Sequence, residues 1–205
     1  ANVVAPTGGP ADEQPPTYLG SKPAPGTEGY DKRKVDLYFD EFIAPGGAQQ
    51  AVFVSPIPAE QPQVFVHNKR VRIKFQDELQ DSTTYVVSVG SELKDYYGGN
   101  GLAEPLQMAF STAGPLDTGM VAGQVVHAYT GDSLPGWQVL LYPADSITAP
   151  HAYSGVQPLY AGQTGADGRF TLRSLAPGPY KVLATKAADQ NYQYTLPSEP
   201  IALPG

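Results

Sequence analysis

Apolar residues in this chain alternate with polar ones over short runs, and each run is cut off by glycine or proline. In residues 34–40, Val35, Leu37 and Phe39 fall on one side of an extended backbone, with Asp36, Tyr38 and Asp40 on the other. The same period of two groups Tyr85, Val87 and Val89. Nowhere do apolar residues recur at i, i+3, i+4 and i+7 over a long window, so only residues 77–82 and 91–97 have room for a single helical turn each. With 22 glycines and 21 prolines among 205 residues, short strands joined by tight turns are what remains. The expected fold class is all-β.

The turns carry their own signals. Val64-Phe65-Val66 and Val71-Arg72-Ile73-Lys74-Phe75 flank His67-Asn68-Lys69-Arg70, a hairpin in which Asn68 tolerates left-handed backbone. Asp167-Gly168 is a second hairpin signal, with Gly168 supplying the positive φ. About seven strands at short spacing over residues 17–113 argue a β-sandwich. Residues 114–119 read as a short linker, which keeps the following unit, residues 120–205, close against the first and restricted in orientation. Residues 1–16 hold four prolines and no aromatic residue, so they have nothing to bury and read as a flexible tether.

Charge and missing residue types narrow the chemistry. The net charge is −7, which disfavours a phosphate-binding surface, and the basic run 69–74 alternates with apolar residues as the solvated face of a strand does. No nucleic-acid partner is expected. There is no cysteine, hence no disulfide, thiolate nucleophile or cysteine-held metal. No apolar run approaches the roughly 18 residues of a membrane span.

Several spaced motifs bear a resemblance. Pro15-Pro16-Thr17, Leu37-Tyr38-Phe39-Asp40-Glu41, Val54-Ser55-Pro56, Asp77-Glu78-Leu79, Thr83-Thr84-Tyr85-Val86-Val87 and Ala109-Phe110-Ser111-Thr112 resemble, in order, the bacterial Ig-like domain of S-layer and surface proteins. Val121-Ala122-Gly123-Gln124-Val125, Leu134-Pro135-Gly136-Trp137, Thr164-Gly165-Ala166-Asp167-Gly168-Arg169-Phe170 and Pro177-Gly178-Pro179-Tyr180 are similar to the carboxypeptidase regulatory-like, transthyretin-like β-sandwich. The tail Ala5-Pro6-Thr7-Gly8-Gly9-Pro10 with Asp12-Glu13 looks like the start of mature Bacteroidota lipoproteins. That resemblance implies lipidation on a Cys preceding Ala1, outside this sequence, and a cell-envelope protein anchored to the outer membrane by lipid alone.

Candidate chemistry is sparse. His67, His127 and His151 are far apart, and neighbouring carboxylates such as Asp40-Glu41 and Asp77-Glu78 point to opposite faces of a strand. A calcium site shared with Asp95, or a Lys–Asn isopeptide bond through Lys34 and Asn100 or Lys181 and Asn191, is the remaining option of that kind. No G-x-S-x-G elbow is present, and the regulatory-like family carries no zinc ligands, so neither enzyme activity nor a cofactor is expected. Aromatics are the functional signal: Tyr96 and Tyr97 beside Gly98-Gly99, and Tyr153 and Tyr160 in a long loop over residues 144–162. Exposed, such tyrosines stack on sugars or anchor protein interfaces; buried, they are core or turn residues. Trp137 is expected to be buried. The expected function is a non-catalytic envelope scaffold or accessory subunit of an outer-membrane assembly, with glycan or peptide capture as the alternative.

Overall fold

A computed structural model describes residues 11–147, 153–186, 192, 194 and 199–204. Most of the expected tether, His151 and Asn191 lie outside the described residues. Among the described residues the chain is all-β apart from one four-residue helix, α1 (Ala48–Ala51). β1 (Tyr18–Lys22), β2 (Lys34–Phe39), β4 (Gln63–His67) and β5 (Arg70–Lys74) form an antiparallel sheet in the order β1-β2-β5-β4. β3 (Val52–Ser55), β6 (Thr84–Val89) and β7 (Leu106–Ser111) form a second, β3-β6-β7. Between them Leu37, Phe39, Ile73, Phe75, Tyr85 and Phe110 are almost wholly buried.

Asn68 takes φ 55° and joins β4 to β5, as its residue type suggested. The segments 77–82 and 91–97, which had room for a helical turn each, form none. Ser82 adopts φ 49°, which breaks a right-handed helix, and Lys94 and Asp95 are drawn into bridges with Gly101 and Ile43.

Two readings of exposure are overturned. Asp36, on the supposed solvent side of β2, is only 5% exposed. Its register partner on β5 is Arg72, whose Nε and Nη2 donate to the two carboxylate oxygens at 2.6 and 2.9 Å. The basic run is thus partly an internal counter-charge rather than a purely solvated face. On β6 all six residues are buried, Val86 and Ser88 included, because a second set of strands covers the outer face of this sheet.

That second set is β8 (Gly119–Gln124), β9 (Gln138–Pro143), β10 (Tyr160–Gln163), β11 (Arg169–Leu175), β12 (Tyr180–Thr185) and β13 (Ile201–Ala202). They form a sheet ordered β10-β9-β12-β13 and a pair β11-β8. Asp167-Gly168 does reverse the chain, with Gly168 at φ 74°. It joins β10 to β11, which belong to different sheets, so it is a crossing between layers rather than a hairpin within one. β9 is buried on both faces: Val139 and Leu141 turn toward one core, Leu140 and Tyr142 toward another. Trp137, expected to be buried, is half-buried just before β9, packed at the rim of the first of these cores.

Candidate functional site

The loop that carries Tyr96 and Tyr97 is built around a buried carboxylate. Asp95 is 1% exposed. One of its oxygens accepts from the main-chain N–H groups of Gly98 and Gly99, the other from that of Asn100 at 2.9 Å. Burial pushes this carboxyl up, but the N–H bonds of Gly99, Gly98 and Asn100 together hold it below its ordinary value. Gly99 needs its φ of 72° to close the turn. Asn100 then reaches back, its Nδ2 donating to the carbonyls of Asp12 and Gln14.

Outside this buckle stands an aromatic cluster. Tyr96 is 63% and Tyr97 73% exposed, and their rings meet edge to face at 5.3 Å. Phe42, 39% exposed, packs on Tyr97 at 6.0 Å, because the Tyr96 N–H bonds to the Phe42 carbonyl at 2.7 Å. Lys69 Nζ lies 5.6 Å above the Phe42 ring. Glu41 borders the cluster, its carboxyl raised by desolvation and by the charges of Asp12, Asp40 and Asp95. Phe42 escaped the sequence reading because it follows the end of an alternating run; a large apolar residue beyond the last in-register core position was the available signal.

The other two tyrosines do not join this surface. Tyr160 opens β10 at 4% exposure, and its hydroxyl accepts from the Ala176 N–H at 3.0 Å. Tyr153 is 8% exposed and packs on Tyr142 at 5.2 Å. Both belong to cores, where apolar neighbours on β9 outcompete water for the rings.

The remaining candidates are separated in space. His67 and His127 are exposed, and no group of three His, Asp or Glu converges among the described residues. Asp40 accepts from the Thr17 N–H, and Asp77 from that of Glu60. Lys34 opens β2 opposite Lys74, whereas Asn100 belongs to the loop beyond the other end of that strand. Lys181 Nζ donates to the Ile147 carbonyl at 2.7 Å.

A second feature lies where the two sets of strands meet. Val86 and Ala109 enter one core with Val139, Leu141 and Leu172, while Phe53 packs on Tyr192 at 5.4 Å. Polar bonds rim the seam, among them Asp117 N–H to Thr84 Oγ1 at 3.0 Å and Arg173 N–H to Gln107 Oε1 at 2.8 Å. Beside it opens a cleft of about 520 Å³ whose described lining, including Gln50, Phe53, Pro58 and Gln157, contains no charged residue.

Antiparallel sheets packed face to face around apolar cores define a β-sandwich class of protein. Residues 12–112 match the family model described as Bacterial Ig-like domain, so the first half of the chain carries an Ig-like domain. No curated protein matches the chain. Solved structures similar to it include the N-terminal part of the bacterial S-layer protein SbsC, at 13% identity over 92% of this chain and TM-score 0.35. An L,D-transpeptidase from Mycobacterium smegmatis follows at 11% identity over 82% of this chain and 76% of its own, TM-score 0.35. BcpA, the major pilin subunit of Bacillus cereus, is similar at 9% identity over 93% of this chain and 66% of its own, TM-score 0.27. The chain spans 43% of the length of the S-layer structure.

Proposed function

We propose that this chain is a non-catalytic binding module of the bacterial cell envelope, which presents the Phe42, Tyr96 and Tyr97 cluster to a protein partner. The observation behind this reading is the exposure of three contiguous aromatic rings, Tyr96 and Tyr97 on a loop whose backbone is held by a buried carboxylate and Phe42 on the segment that follows β2. Preorganised aromatics with few free rotors make efficient interface anchors, because little entropy remains to be lost on binding. The Ig-like match over residues 12–112 supports an envelope setting. In this reading residues 120–205 are a regulatory-like sandwich that braces the first unit, and an acylated Cys upstream of Ala1 tethers the protein to the outer membrane of a Bacteroidota-type cell as a scaffold or accessory subunit.

Affinity capture from detergent-solubilised envelopes tests the reading. Wild type should retain a membrane-protein partner that the Tyr96→Ser, Tyr97→Ser double variant loses. Equal capture by both removes the cluster from the function. Palmitate labelling of the full gene product tests the anchor separately.

The uncharged cleft at the seam favours a second reading, capture of a neutral glycan or peptide. Saturable binding on a glycan array, unaffected by the Tyr96→Ser, Tyr97→Ser change and lost on Gln157→Trp, would favour it over the first.

A further inference from the structure

Several strand edges in this molecule are closed off or interrupted. On β4 the Val64 N–H, turned away from β5, donates to Gln49 Oε1 at 2.9 Å, and Gln49 Nε2 donates to the Pro62 carbonyl. The outer side of β7 is occupied by residues 26–30, through Gly26 N–H to the Ala109 carbonyl and Ser111 N–H to the Thr27 carbonyl. β1 carries a register irregularity between Tyr18 and Gly20 and runs out at Lys22-Pro23. Bulges, lysines, prolines and covering segments are the usual devices that keep an edge from pairing with another chain.

β8 itself has none of them, the register irregularity of its ladder lying on β11 between Arg173 and Leu175. Among the described residues it pairs with β11 alone and no hydrogen bond caps its outer side, and it contains no proline or charged residue from Gly119 to Gln124. Arg173 faces Met120 in the register, yet its N–H turns away to Gln107 Oε1, so Met120 and Arg173 exchange no ladder bonds. At the other end Val125 N–H bonds to the Gly168 carbonyl. Because ladder bonds alternate along an antiparallel pair, Val121 and Gly123 bond inward to β11. The peptide groups of Met120, Ala122 and Gln124 therefore face outward, and the side chains of these three residues are exposed as well.

We propose that β8 is a dimerisation edge, which pairs antiparallel with β8 of a second copy of this chain. A two-fold axis at Ala122 sets Ala122 against its counterpart and Met120 against Gln124 of the second copy. All three outward-facing residues then meet outward-facing residues, with two N–H···O bonds for each pair. No charges are set opposite one another, so the pairing carries no cross-strand repulsion. The two-stranded β11-β8 ribbon becomes a four-stranded sheet, and ribbons of two strands are the least stable sheet arrangement. The net charge of −7 on each copy opposes the approach, so salt strengthens the dimer by screening it. This inference rests on the second unit and is independent of the aromatic cluster.

The test is sedimentation equilibrium of the full chain from micromolar to millimolar concentration, at low and high salt, with hydrogen exchange at the same concentrations. Wild type should move from 21.8 kDa toward twice that mass, with a dissociation constant at least several-fold lower at high salt. The amides of Met120, Ala122 and Gln124 should gain protection as concentration rises. Ala122→Pro removes only an outward N–H, which an edge strand tolerates, and should be monomeric throughout. Ala122→Lys sets two ammonium groups across the axis and should be monomeric even if the proline variant fails to fold. A wild type that stays monomeric over the whole range, or a dimer that survives in Ala122→Lys, overturns the proposal.

Discussion

Gln163 on β10 receives two hydrogen bonds from Ser91: its Oε1 accepts from the Ser91 main-chain N–H at 2.8 Å and from the hydroxyl at 2.9 Å. Its Nε2 donates to Glu92 Oε1 at 2.6 Å. One buried amide thus stitches a turn of the Ig-like unit to a strand of the second. Gln163→Ala leaves the Ser91 N–H unpartnered and is expected to lower stability by about 1–3 kcal/mol. The midpoint of urea unfolding, followed by circular dichroism, reads the change.

Val86 and Ala109 place residues of the Ig-like unit inside a core made largely by the second. Calorimetry of the wild type should therefore show one cooperative transition, since neither unit can open without exposing the other. Val86→Asp puts a charge at a position 1% exposed and should cost about 3 kcal/mol or more. It should also split the transition in two as the seam parts.

Asp36 gives acid unfolding a defined contributor. The hydrogen bond from Arg72 holds its carboxyl below the usual carboxylate range. A depressed folded value means that the stabilisation is complete above the unfolded value of about 4 and is lost as pH falls through the folded one. Asp36→Asn should be less stable at neutral pH by about 1.5–3 kcal/mol. Its stability should fall less steeply than wild type below pH 4 in a urea–pH series.

Asp95→Ala tests the buckle beneath the tyrosines. The N–H groups of Gly98, Gly99 and Asn100 lose their acceptor, at a cost of about 1–2 kcal/mol because the two glycines are exposed and water replaces the carboxylate. The larger effect should be on order: amide exchange at 96–100 speeds up several-fold while that of β6 is unchanged. Partner capture should weaken without any change to an aromatic side chain.

Much of this molecule was legible in its sequence. Period-two alternation located β2 and β6, and the left-handed positions at Asn68 and Gly168 followed from residue type, because both are local steric properties of the chain. Tyr96 and Tyr97, singled out in the sequence beside two glycines, are exposed in the structure.

Alternation divides a strand into two faces without saying what covers each one. Val86 and Asp36 show this, and Tyr153 and Tyr160, read in a long loop with exposure left open, are buried for the same reason, that distant strands cover them. Val86 is covered by strands well over 30 residues further along the chain, Asp36 is neutralised across 36 residues, and the Ser91–Gln163 stitch spans 72. The sequence by itself determined the all-β class, the turn positions and the absence of thiol chemistry. Only the tertiary structure decided which polar faces are interior, that Asp167-Gly168 crosses between sheets, and that β8 keeps an open edge. Those outcomes depend on contacts between distant segments, and burial is a property of the pair, not of either residue alone.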